Sequence, residues 1–305
     1  MKALLCTTLA IGLMTTAAAA GPRFVIGVDS SANAAHLFDP NTGALVQQNY
    51  LEWGDLLGGG STAKHALQVG NQIWVSDQIR DVIYRFDFSG GHLGNIGAQG
   101  LDNIKGMAVV GNEVWVTNAG TQNDAPGNSI VKIDIATASI TGSVATSGSL
   151  FDLVTYQGRV LGSNITTQNL EWYDSNGNFD GNFHVPTPPG LRFPQQLFEK
   201  DNGNMLAAGF STAGGNISGV YEFDADGNQI GIIAGEGFGP RGVLQLDNGQ
   251  IMWTNGAGFW VDGTNVFDGD GSTVSGQYLS FVVIPAPGGA AMLAIGGLLA
   301  ARRRR

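Results

Sequence analysis

The sequence predicts an all-β protein, a β-propeller of six blades of about 46 residues each, flanked by an N-terminal signal peptide and a single short C-terminal transmembrane helix. Three observations predict the propeller: the composition, a hairpin unit that recurs five times, and a second marker with the same period. Of 305 residues, 47 are glycine and only 13% are charged. That balance suits many short strands joined by tight turns, and it disfavours long soluble helices.

The hairpin unit reads LQVGNQIWVSD (67–77), AVVGNEVWVTN (108–118), VTYQGRVLGSN (154–164), EKDNGNMLAAG (199–209) and LQLDNGQIMWTN (244–255). Each copy has a strand, a turn at Gly70, Gly111, Gly158, Gly203 or Gly249, and an apolar strand. Glycine serves there because the centre of a tight hairpin takes positive φ. The second strand carries Trp74, Trp115 or Trp253 in three copies. It ends in Asp77, Asn118, Asn164 or Asn255, with Gly209 as the exception.

The second marker is an apolar residue, then Asp, then a turn, with aspartates at Asp39, Asp87, Asp134, Asp174, Asp224 and Asp268. Two hairpins and four strands per period make a propeller blade, and six aspartates predict six blades. A blade cannot bury its faces alone, so blades stack around an axis. A parallel β-helix has coils about half this length. The first blade, starting at Phe24, lacks an innermost strand. The final strand, 277–284, either supplies it or forms the outer strand of the sixth blade; its distance from Asp268 suits the second place slightly better.

The two ends read as processing segments. Residues 1–20 hold Lys2, an apolar run from Ala3 to Met14 and small residues at Ala17–Ala20, the layout of a secretory signal peptide. Cys6 lies within it, so the mature chain has no disulfide, cysteine metal site or thiol nucleophile. Residues 21–284 form the propeller domain and 285–305 a tail. Five of the fifteen basic residues, Lys2 and Arg302–Arg305, lie in the end segments. Ten then face twenty-five acidic ones, giving the body a net charge of −15. Nucleic acid and anionic lipid surfaces repel such a body.

Candidate chemistry is sparse. DADGN (224–228) and DGDGS (268–272) offer oxygens of the kind calcium takes, but the EF-hand spacing fails: Gly227 comes fourth and Gly235 stands at position twelve. The plainer reading is an aspartate that caps a turn. Equivalent strand ends on successive blades place Asp29, Asp77, Asn118, Asn164 and Asn255 as a candidate ring around the axis, able to hold a divalent cation such as Ca²⁺ or to orient a sugar. The same residue types also simply end strands well. His36, His65, His92 and His184 show no ligand spacing, and no nucleophile elbow, P-loop or dinucleotide fingerprint occurs. No catalytic residue and no cofactor follow from these motifs. Two insertions, 117–129 and 183–194, lengthen loops; Pro189, Arg192 and Phe193 make the second either a partner surface or a stiff connector.

In the tail, Pro285, Ala286 and Pro287 precede an uncharged stretch from Gly288 to Ala301, and Arg302, Arg303, Arg304 and Arg305 follow. With Ile284 to Pro287 the stretch is near the minimum for one membrane-spanning helix, and the arginines orient the propeller outward. This order, over about the last 21 residues, resembles the PEP-CTERM protein-sorting signal of Gram-negative bacteria. The resemblance implies recognition in the inner membrane by an exosortase-type processing enzyme, removal of the tail, and delivery to the cell surface or extracellular polymer. Ala286 departs from it, because the family usually has Glu there. The repeats resemble the NHL and YVTN/YncE-like propellers, which speaks to fold more than to activity.

The expectation is an exported, non-catalytic surface propeller that binds extracellular polysaccharide or a surface protein. The alternatives are an extracellular metal-dependent lactonase or lyase acting on sugars or sugar acids, which needs the axial ring to hold a cation, and a structural surface component.

Overall fold

The computed structural model describes residues 21–285, apart from 59, 98 and 270. The signal segment, Ala286, Pro287, the apolar stretch and Arg302–Arg305 lie outside the described residues. Among the described residues no helix is long and apolar enough to cross a membrane. The blades occupy Arg23–Val282, one compact unit; the other unit, Met1–Pro22 with Val283–Arg305, lies mostly outside the described residues.

Six four-stranded sheets follow one another. The predicted glycine turns are all present: Gly70, Gly111, Gly158, Gly203 and Gly249 have φ between 59° and 88° and join the first two strands of blades two to six. In each of these blades the strand before the glycine is innermost and the strand after it second.

Ring closure takes the first of the two places the sequence left open. Gly276–Val283 pairs with Arg23–Asp29 as the innermost strand of the first blade, so the sheet runs Gly276–Val283, Arg23–Asp29, Ala34–Phe38, Leu45–Glu52. It is not the outer strand of the sixth blade, a place taken by Thr264–Phe267. The distance from Asp268 misled because that aspartate is out of register. In blades one to five the marker aspartate ends the third strand or directly follows it. In the sixth the third strand is Gly258–Val261, and the turn to the outer strand is made by Asp262 (φ 44°) and Gly263 (φ 82°). Asp262 is the true sixth copy. Asp268 comes a strand later.

The core lies between blades. Trp74, from the second blade, packs with Val114, Val116 and Ile133 of the third. Trp115 packs with Leu150, Leu153 and Tyr173 of the fourth. Trp253 faces the other way, against Leu206, Ala208 and Val220 of the preceding blade. The reason is strand parity: Trp74 and Trp115 stand three residues before Asp77 and Asn118, whereas Trp253 stands two before Asn255. One step along a strand changes the face.

Candidate functional site

In every blade the inner strand starts, and the second strand ends, at the same end of the propeller, here called the upper face. The five predicted ring residues sit there, and their side chains tie their own blade together. Asp29 Oδ1 accepts from the amides of Ser31 (2.9 Å), Ala32 (3.3 Å) and Ser275 (2.9 Å). Burial opposes its charge, but the His36 ring at 3.6 Å and these amides hold its carboxyl below the usual range. Asp77 accepts from Ser61 Oγ at 2.6 Å and from the amides of Thr62, Ile79 and Arg80. Asn118 Oδ1 accepts from the Asp102 amide at 2.7 Å, while its Nδ2 donates to the carbonyls of Gly120 and Gly127. Asn164 bonds the amides of Thr166 and Thr167, Ser147 Oγ and Glu171. Asn255 accepts from the Ala257 amide and Trp260 Nε1, and donates to the Phe238 carbonyl.

Each of the five thus joins the segment leading into its inner strand to the turn leaving its second strand. Gly209, which has no side chain, leaves that task to backbone bonds from Phe210 and Ser211 to the carbonyls of Phe193 and Arg192. In DADGN, Asp224 Oδ1 accepts from the amides of Asp226 and Asn228 and its Oδ2 from Asn228 Nδ2, the geometry of a capped turn. Among the described residues, no group of three or more His, Cys, Asp or Glu is placed to hold a metal ion.

The chemistry that converges lies on the inner strands, at three levels of the axis. The uppermost holds Lys64, Lys105 and Arg241, at or just before the inner strands of the second, third and sixth blades. Lys64 Nζ donates to Gln277 Oε1 (3.0 Å), Lys105 Nζ to the Asn103 carbonyl (2.9 Å) and Arg241 Nη1 to Ser275 Oγ (2.6 Å). All three acceptors are neutral. Lys64 is 8% exposed and Lys105 1%. Burial first, and then the neighbouring Arg241 and Lys105, lower Lys64 to about 7. Burial lowers Lys105 to about 8 against the pull of Asp102.

The middle level is filled. Tyr278, fully buried, reaches from the first blade to donate to the Phe151 carbonyl of the fourth, the opposite blade, at 3.2 Å. Gln196 joins three blades, with its Oε1 accepting from the amides of Val243 and Leu279 and its Nε2 donating to the Leu279 carbonyl.

Below lies a cavity of about 300 Å³ with apolar walls, among them Leu67, Met107 and Phe281, and with His65, Asp152 and Ser280 on its polar side. Gly106 lets the third blade come up against Asp152, since a Cβ there would meet Asp152 Oδ1 at 2.2 Å. Serine, imidazole and carboxyl stand in a row that invites comparison with a hydrolytic triad. The hydrogen bonds run the wrong way. The Met107 amide donates to His65 Nδ1 at 3.1 Å, so the ring proton sits on Nε2, 2.7 Å from Ser280 Oγ. An Nε2 that already carries its proton cannot take one from the serine. Asp152 Oδ1 is 3.9 Å from His65 Nδ1 and has no hydrogen-bond partner. Burial pushes the Asp152 carboxyl well above the usual range, and burial lowers His65 to about 3. The His65 ring is therefore neutral near neutral pH.

The sequence reading missed this axial set. Its one signal was an isolated basic or amide side chain just ahead of an apolar strand, as in AKHALQV, IKGMAVV and PRGVLQL. The insertion 183–194 does reach the axis: Phe193 packs on Phe151 (5.1 Å between ring centroids) and on Phe210 (5.8 Å).

No protein-family model matches the chain, and no curated protein does. Solved structures do. The nidogen–laminin complex gives a TM-score of 0.65 at 12% identity, covering 87% of this chain and all of that one. The likeness is one of fold. A Bacteroides caccae protein of unknown function gives 0.60 at 13%, over 86% of this propeller and 99% of that chain. A catalytically inactive virginiamycin B lyase from Staphylococcus aureus, solved with quinupristin, gives 0.58 at 12%, over 84% and 86%.

Proposed function

We propose that this propeller is an exported, non-catalytic binding protein that works at the cell surface or in extracellular polymer and receives its ligand at the upper mouth of the axis. The observation that carries this reading is the contrast between two axial levels. The lower level, with the residue types of a catalytic site, has its proton on the wrong nitrogen. The upper level has buried donors on neutral acceptors, capacity of the kind binding sites use. Export and sorting rest on the signal-like start and on the resemblance of the tail to PEP-CTERM signals, with an exosortase-type enzyme as processing partner. The ligand is extracellular polysaccharide or a surface protein.

Two measurements test it. The full-length chain should be retained on surface or polymer fractions of its own cells; retention on none of them overturns the binding role. Mass spectrometry of the native C-terminus should find a form ending near Pro285–Pro287; an intact Arg305 in every fraction overturns removal of the tail.

A second reading, an extracellular lyase or lactonase, draws on the fold likeness to the lyase above. It requires Asp29, Asp77, Asn118, Asn164 and Asn255 to exchange their blade hydrogen bonds for a cation. Calcium titration of the native chain and of Asn118→Ala separates the two, since only the enzyme reading expects binding that this change weakens.

A further inference from the structure

The upper mouth is unlike on its two sides. One arc is cationic: Arg241, Lys64 and Lys105 follow one another around the axis, with Gln277 and Ser275 of the closing strand segment between the first two. The other arc is aromatic: Phe151, Phe193 and Phe210 stand in sequence, each in ring contact with the next. The arcs meet at both ends, where Lys105 Nζ lies 4.8 Å from the Phe151 ring centre and the Arg241 guanidinium 5.6 Å from that of Phe210.

Three further facts point to a ligand. Among the described residues none of the three cations forms an ion pair, with Asp102 acting on Lys105 only from a distance, an expensive way to bury charge unless an anion arrives. Phe193 holds φ at 52°, a left-handed conformation that a bulky residue rarely adopts and that gathers at ligand sites. Gln195, two residues further on and 3% exposed, has a buried side-chain oxygen with no hydrogen-bond partner. Tyr278 closes the axis beneath, so whatever enters is short.

Resting on the binding reading above, we infer that the mouth takes a single acidic sugar residue of the uronate class, its carboxylate among Lys64, Lys105 and Arg241 and its ring on Phe193 and Phe210. A sugar ring offers C–H groups on its faces, which match the exposed Phe210 ring. Phe210 is 38% exposed and available for stacking. The negative body favours one acid group at a chain end over a stretch of them, because the mouth is a local positive island in a repelling field.

The test is calorimetry on the full-length chain with three probes: glucuronate, glucose and acetate. Glucuronate should bind about tenfold or more tightly than either of the others, since charge-assisted bonds and ring stacking each contribute. Lys64→Met and Arg241→Gln should each weaken glucuronate about tenfold or more, with Arg241→Lys restoring part of the loss. Phe210→Ala should weaken glucuronate and leave acetate unchanged. The methionine keeps the length of the lysine and removes a buried charge, so the fold survives; circular dichroism checks this. Glucuronate binding no tighter than glucose, or binding indifferent to Lys64→Met, overturns the assignment. If the native chain is still retained on surface fractions, only the uronate assignment falls; if it is not, the binding reading falls with it.

Discussion

Two lysines in the described chain are held near neutrality by burial, and this has a consequence that needs no ligand. Lys64 titrates at about 7 in the fold and near 10.4 in an unfolded chain. Between those values the unfolded chain binds more protons, so stability rises with pH; below about 7 the full penalty is present. Lys105 adds the same trend above about 8. The groups facing them are Arg241, Asp102 and neutral Gln277, and Tyr278, which burial pushes well above its usual range, faces Arg241. Stability should therefore increase by roughly 3–4 kcal/mol between pH 7 and pH 9. Urea midpoints across that range should rise in the native chain and rise less in Lys64→Met. A flat profile in the native chain contradicts the burial of these charges. Such residues were barely legible in the sequence: a lysine before a strand looks the same whether it ends in water or on an axis. The decision is made by five other blades. The strand-end polar residues Asp77, Asn118 and Asn164 were legible as strand ends, and their hydrogen bonds show why those residue types recur.

At the level of strands and blades, the glycine turns were the reliable signal, since a positive φ at the centre of a hairpin restricts the residue type locally. The aspartate marker was weaker. Aspartate caps many turns, so the sixth copy was taken from Asp268 when Asp262 makes the equivalent turn. Trp253 gave a similar false equivalence, sharing residue type with Trp74 and Trp115 but facing the opposite neighbour. The closing strand was undecidable from spacing because pairing between residues 276–283 and 23–29 is set by the ring and by no local feature. Its weight can be measured. A chain ending at residue 273 leaves the first blade without its inner strand, removes Tyr278 and strips Gln196 of its bonds to Leu279. It should show no cooperative unfolding transition, whereas a chain ending at residue 285 should unfold with the midpoint of the full-length protein. A cooperative transition in the shorter chain contradicts the closure described here.

For the whole molecule the argument is one of fields. A body carrying −15 surrounds a mouth with two buried lysines and the half-buried Arg241. At about 0.01 M salt the screening length is roughly 30 Å, so a long acidic polymer feels the whole body; at 0.15 M it is about 8 Å, and the mouth acts nearly alone. An acidic oligosaccharide should therefore bind more tightly than the same polymer at low salt, and the gap should close as salt is added. Calorimetry at two salt concentrations reads this directly. Equal affinities at low salt contradict the repulsive body. The fold was legible as a count of blades, but the sign of charge at the axis was hidden, because ten basic residues in the body give no hint of which three are brought together.

Closure by the last strand also orders events in time. Synthesis delivers a chain N-terminus first, so Arg23–Asp29 appears well before Gly276–Val283. Its inner edge stays unpaired until Gly276–Val283 arrives. Until then the chain is an open arc with a bare β-edge, the kind of edge that recruits other chains. The upper mouth does not exist in that interval either, since Gln277, Ser275 and Tyr278 all come with the final strand. Binding competence begins at the moment of closure, and a nascent or stalled chain has no ligand to hold.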